Sequence, residues 1–160
     1  MAKKMTEERI APVRKTVTVR CSVEDAFRIF TEQFAAWWPL ETYSASEQLS
    51  ETCAIEGRLE GRLYERLDDG TEVLWGEVLQ WEPPNLLTFT WHPGQEPDSA
   101  QTVEVDFTAI EERTRVELTH SGWEKLGAEA LETRDSYDSG WDFVLGERYV
   151  GLTEKEAATR

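Results

Sequence analysis

The stretch EVLWGEVLQWEPPNLLTFTW, residues 72–91, sets two runs rich in Val, Leu, Phe and Trp on either side of Pro83, Pro84 and Asn85. β-Branched and aromatic residues bounded by a Pro-Pro-Asn break predict strand, turn, strand. Aromatic side chains recur along it at Trp75, Trp81, Phe89 and Trp91. Such a hairpin is the aromatic middle of a curved antiparallel sheet, whose rings either fill a core or line a cavity.

Working outward, further strands are expected at residues 52–56, 59–67, 101–110 and 113–121, with the hairpin's own strands at 72–82 and 86–92. Asp68, Asp69 and Gly70 make a tight turn, residues 92–100 (HPGQEPDSA) a Pro/Gly/Asp loop, and Glu111 to Arg113 a short polar turn. Upstream, Val13, Val17 and Val19 alternate with Thr16, Thr18 and Arg20, a half-buried strand. Ser22 then caps a helix carrying Val23, Ala26, Phe27, Phe30 and Phe34 at helical spacing, with Asp25 at the capping-box position. That helix stops near Trp37, Trp38 and Pro39, because proline cannot continue it. Residues 40–50 read as a polar loop. From Gly127 to Lys155 a second helix aligns Tyr137, Trp141, Val144, Leu145, Arg148, Tyr149 and Leu152 on one stripe. Its Gly140, Gly146 and Gly151 lower helix propensity, which implies fraying, close approach to the sheet or room for a bound molecule. The order is a strand, a short helical section, about six antiparallel strands and a long C-terminal helix. It specifies an α+β helix-grip fold, with the helix stripe buried on the concave face.

Composition narrows the function. A chain of 160 residues makes one domain, expected over 12–156, with a charged leader at 1–11 and a tail at 157–160. No run reaches the ~20 apolar residues of a membrane span, and the N-terminus does not read as a secretory signal. Cys21 and Cys53 have no CxxC or Cys/His spacing and are expected as reduced thiols of a cytoplasmic protein. A formal charge of −15 argues against nucleic acid and anionic membranes as partners. Seven tryptophans are many for this length, and Trp suits an apolar wall that needs one hydrogen-bond donor.

Several blocks together carry a family resemblance: VTVRCSVEDAFRIFTE with WWP after it, GRLYERLDDG leading into WGEVLQWEPPNLLTFTW, THSGWEKLG, and RDSYDSGWDFVLGERY. The chain resembles the START-like (SRPBCC) superfamily, more narrowly its bacterial activator-of-Hsp90-ATPase-homologue-1-like members, from about Val13 to Leu152. The resemblance implies a curved sheet of six to seven strands around the C-terminal helix, with an internal cavity between them. The superfamily includes lipid and hormone binders, aromatase/cyclases and oxygenase domains. It supplies no shared catalytic signature to transfer, and fold alone licenses a cavity rather than a reaction.

His120 shares the inward phase of Val116 and Leu118, close to Trp123, where an imidazole serves as ligand anchor, acid/base group or structural hydrogen-bonder. Trp75, Trp141 and Tyr137 are the cavity-wall candidates, Trp75 because Gly76 leaves space beside it. Phe89 and Trp91 are core residues that also bound the cavity; Tyr64 lies in an ambiguous phase between Arg62 and Arg66, and Trp38 with Tyr43 stand where a cavity mouth would be. His92 opens a polar loop and is expected to be exposed. Ser121 faces away from His120 and cannot act with it, and neither histidine has carboxylates at metal-ligand spacing, so no metal and no cofactor are expected. Glu65, Glu77 and Glu104 are read with the solvated acidic surface. The leading expectation is binding of a small, largely hydrophobic molecule under the C-terminal helix, favoured over catalysis, with a homodimer compatible. The alternatives are a cyclase or dehydratase using His120, and a co-chaperone-like interaction module.

Overall fold

The computed structural model describes residues 10–40, 50–93 and 96–158; most of the expected leader, Tyr43 with its loop, and the end of the expected tail lie outside them. Seven strands form one antiparallel sheet: β1 Val13–Val19, β2 Ser50–Ile55, β3 Arg62–Leu67, β4 Glu72–Glu82, β5 Leu86–Trp91, β6 Gln101–Ile110 and β7 Arg113–Ser121. Their order is β1-β7-β6-β5-β4-β3-β2, so β2 to β7 are a meander and β1 closes against its last strand. Between β1 and β2 run α1, Val23–Glu32, and the single turn α2, Phe34–Trp37. The Ser22 hydroxyl accepts the Asp25 amide at 3.1 Å, the cap read from sequence.

The C-terminal helical section lies across the concave face. It begins with 3₁₀ turns over Trp123–Glu129, interrupted at Gly127 (φ 64°), and continues as α3, Ala130–Phe143. A π-helical stretch, Val144–Tyr149, leads into α4, Val150–Ala158. Lys15 on β1 holds it through Asp138 (3.1 Å) and Asp142 (2.9 Å). At the other end the Tyr149 hydroxyl donates to the Ala26 carbonyl at 2.7 Å. This is the helix-grip fold. Its core is Leu87 and Phe89 of β5, Val103, Val105 and Phe107 of β6, and Val116 and Leu118 of β7, beneath Phe27, Phe30, Trp141, Leu145 and Tyr149.

Four expectations need correction. The strand expected from 59 starts at Arg62, because Glu60 takes a left-handed backbone (φ 66°) and the chain turns there. Gly146 and Gly151 have open space beside them, so neither marks close approach to the sheet. His92 is buried rather than exposed: its amide donates to the Trp75 carbonyl at 2.7 Å and continues the ladder past the end of β5. Gly76 does not leave space beside Trp75, since a Cβ there would run into the Thr90 carbonyl.

That contact has a structural origin. Leu63 pairs with Gly76 and Tyr64 with Leu74, which leaves Trp75 as the extra residue of a β-bulge. The bulge makes both Trp75 and Gly76 buried, and only a residue without a side chain fits against β5. Gly76→Ala is therefore expected to destabilise the fold by about 3 kcal/mol, read as a lower midpoint in urea unfolding. An unchanged midpoint would mean that the bulge relaxes freely.

Candidate functional site

The concave face carries an almost continuous aromatic assembly. Trp38, following α2, touches Trp75 and Trp91 with ring centroids 5.4 Å apart in each case, and Trp75 stands 5.5 Å from Trp91. Trp141 of α3 closes the group, 6.1 Å from Trp38 and 6.3 Å from Trp91, and Phe89 lies 6.0 Å from Trp91. A second group adjoins it: His120 stacks on Trp123 at 4.1 Å, and Tyr137 sets its ring 5.0 Å from His120 and 5.5 Å from Trp123. Eight sequence-derived candidates thus meet in one place. Tyr64 does not: it is on the outer face of β3, its ring under the Arg62 guanidinium at 4.6 Å, because the inward phase of that strand belongs to Leu63, Glu65 and Leu67.

Four of the indole N–H groups find their acceptors within the assembly. Trp75 donates to Glu65 Oε1 at 3.1 Å, Trp91 to the Tyr137 hydroxyl at 2.9 Å, Trp123 to the His120 carbonyl at 3.0 Å, and Trp141 to His120 Nδ1 at 3.1 Å. The last bond settles the state of the imidazole. An indole can only donate, so Nδ1 carries a lone pair and the proton is on Nε2. Nε2 then donates to Gln101 Oε1 at 3.2 Å, and the Gln101 amide donates to the Ser99 carbonyl at 2.7 Å. A chain of hydrogen bonds therefore runs from the helix through His120 to the loop before β6.

Burial agrees with a neutral ring. His120 is fully enclosed, and loss of solvent pushes its pKa down to about 3. Both nitrogens are engaged, which fits a hydrogen-bonding post better than a proton carrier. The Tyr137 hydroxyl is pushed up by burial, opposed by the bond from Trp91, and stays protonated near neutral pH. It accepts from Trp91, and Tyr137 lines a cleft of about 220 Å³ together with Gln101, His92, Lys125 and Thr133.

Two polar members escaped the sequence reading. Glu65, grouped there with the solvated acids, is completely buried; its alternation with Leu63 and Leu67 was the available signal. Gln101, also buried, opens β6 in phase with Val103 and Val105. Cys53 pairs across the ladder with Glu65, and burial, reinforced by that carboxylate, pushes its thiol up to about 12, so it is an unreactive core group. Among the described residues no three His, Cys, Asp or Glu side chains are placed to hold a metal ion, and no helix is long and apolar enough to cross a membrane.

Comparison with known proteins places this geometry. The family described as Activator of Hsp90 ATPase homolog 1-like protein matches residues 20–147. The chain is similar to the solved structure of an anthrahydroquino-gamma-pyrone synthase, Txn09, at 37% identity over 82% of this chain and 89% of that one, with a TM-score of 0.56. It is also similar to CalC, a self-sacrificing resistance protein of Micromonospora echinospora, at 26% identity over 91% and 95% of the chains, with a TM-score of 0.64. The Aha1 dimer of Colwellia psychrerythraea shares the fold at 15% identity, 84% and 96% coverage and a TM-score of 0.56. No curated protein matches the chain.

The buried imidazole makes stability depend on pH. The unfolded chain takes up a proton on His120 near pH ~6.5, whereas the folded chain refuses it until about pH 3. Stability from this group is full above that window and falls on acidification, on the order of 1 kcal/mol per pH unit. Asp106, pushed up to about 6 by partial burial and then by Glu104 beside it, contributes the opposite slope, so His120 is read by difference. His120→Gln keeps an acceptor and removes the titration; urea unfolding between pH 7 and 4 is expected to give a shallower loss of stability than in the parent. Parallel curves would contradict the assignment.

Proposed function

The chain belongs to the Activator of Hsp90 ATPase homolog 1-like protein family, and from that premise we propose that it binds a small, largely apolar aromatic molecule in the interior of the grip. The observation that carries this reading is the aromatic assembly with its polar groups paired inside: Trp38, Trp75, Trp91 and Trp141 supply ring faces, and Tyr137, His120 and Glu65 supply fixed hydrogen-bonding points among them. A flat molecule carrying a carbonyl or hydroxyl matches that combination, with ring faces for its body and the Tyr137 hydroxyl as donor to its oxygen. Burying ~300 Å² of apolar ligand surface yields about 7 kcal/mol before ordering costs, enough for useful affinity without any catalytic group.

A second reading, a cyclase-type enzyme, draws on the 37% identity with a synthase whose name specifies a fused aromatic product. In that reading His120 is a positioning residue, because Trp141 and Gln101 occupy its two nitrogens, and Tyr137 is the group beside the ligand with a proton to donate.

Emodin, a hydroxylated anthraquinone, serves as probe. Saturable quenching of tryptophan fluorescence and a higher melting temperature are expected, and Tyr137→Phe should weaken affinity about tenfold while lowering the melting temperature by only a few degrees. Neither quenching nor a thermal shift, with emodin or its reduced hydroquinone, would end the binding reading.

A further inference from the structure

A second concavity lies outside the grip and is larger than the Tyr137 cleft. It is a groove of about 540 Å³ between α1 and the strand ends it crosses: Ile55 ending β2 with Gly57 beyond it, and Trp81 near the end of β4 with Pro83 and Pro84 in the turn that follows. That volume falls in the range of small-molecule sites. Its floor is aromatic and held in place. Phe27 meets Trp81 edge-on at 5.1 Å and Phe107 at 5.1 Å, so the two rings facing the groove are anchored to the core. Gly57 is part of this arrangement, for a Cβ there would stand 3.1 Å from the Trp81 benzenoid edge and force the indole to move.

The rim is acidic, with carboxylates that the fold does not use. Glu24, Arg28 and Glu32 follow one another at four-residue spacing on the groove side of α1, so the two acids stand about 12 Å apart on one face. Arg28 is paired with Asp25 at 3.2 Å, whereas among the described residues neither Glu24 nor Glu32 has an ion pair or hydrogen bond. Glu24, in the first turn, gains from the helix dipole. Glu32 does not: it is in the last turn, where a carboxylate is disfavoured and no basic residue offsets it. An unpaired acid set against the dipole at the edge of an aromatic groove is a cost to folding that an external cation would repay. Trp is also the best ring for a cation to approach, and the chain's net charge of −15 draws positive ligands toward it.

We infer that this groove is a binding site for a planar organic cation, its flat body against Trp81 and Phe27 and its positive charge drawn by the rim carboxylates Glu24 and Glu32. The site is independent of the interior and does not rest on the reading given for it.

The test uses 9-aminoacridine, a planar cation at pH 8, and acridine, its neutral relative, by equilibrium dialysis in low salt. The cation is expected to bind at least tenfold more tightly than acridine. The double variant Glu24→Gln/Glu32→Gln, which alters only exposed side chains, is expected to weaken the cation at least tenfold, as is Trp81→Leu. Glu124→Gln/Glu132→Gln, which removes the same charge elsewhere, and Tyr137→Phe, at the interior cleft, should each change it less than twofold. Equal binding of acridine, an unchanged constant in Glu24→Gln/Glu32→Gln, or an equal loss in Glu124→Gln/Glu132→Gln would overturn the assignment. The first two would remove the carboxylates from recognition, and the third would leave only the general field of the protein.

Discussion

The architecture depends on one constraint: the aromatic interior carries N–H groups that cannot reach water, so each must find an acceptor on another element. The bond from Trp141 on α3 to His120 Nδ1 on β7 is where that constraint joins helix to sheet. It fixes the imidazole as a neutral acceptor, which in turn makes Nε2 a donor to Gln101 and ties the loop before β6 to the same point. Trp91 and Tyr137 repeat the device between β5 and α3, and Trp75 and Glu65 repeat it within the sheet. An unpaired buried donor costs roughly 1–3 kcal/mol, so these pairs choose one seating of the helix over its neighbours as well as holding it. Apolar packing alone would leave that choice loose.

The same pairing gives the interior its chemical character. Rings supply area without direction, whereas Tyr137 and His120 supply direction at defined points. His120 is committed on both sides, whereas Tyr137 lines the cleft and its hydroxyl accepts only the Trp91 bond, which leaves it a proton to donate. The groove across α1 is built on other principles. There the floor is aromatic, the rim acids have no partner among the described residues, and the proposed selectivity is for charge rather than for oxygen placement. The two concavities share no described lining residue, so each can be probed separately.

Much of this was legible from residues alone. Period-two alternation located β6 and β7, the Ser22 cap located α1, and the inward phase of β7 put His120 beside Trp123 and the grip helix. What stayed hidden depends on contacts between strands. The bulge at Trp75 shifts the phase of β4, so counting along the chain cannot reveal that Gly76 faces the backbone of β5. Tyr64 shares the phase of Arg62 and Arg66, and which phase of β3 faces outward is decided only when the strand is seated in the sheet. Glu65 was visible in the phase of β3, but a carboxylate on an inward position argues for solvent until a partner such as the Trp75 N–H is seen. His92 follows a strand and begins a loop, and its burial comes from a ladder bond that no local pattern records.

The central claim, that a neutral, doubly hydrogen-bonded His120 joins helix to sheet, is most directly tested by nitrogen NMR of the imidazole side chain. The two ring nitrogens are expected to appear as a fixed tautomer, Nε2 protonated and Nδ1 bare, with no change from pH 7.5 down to pH 4.5. A ring that titrates near pH ~6.5, or one that carries its proton on Nδ1, would contradict the account.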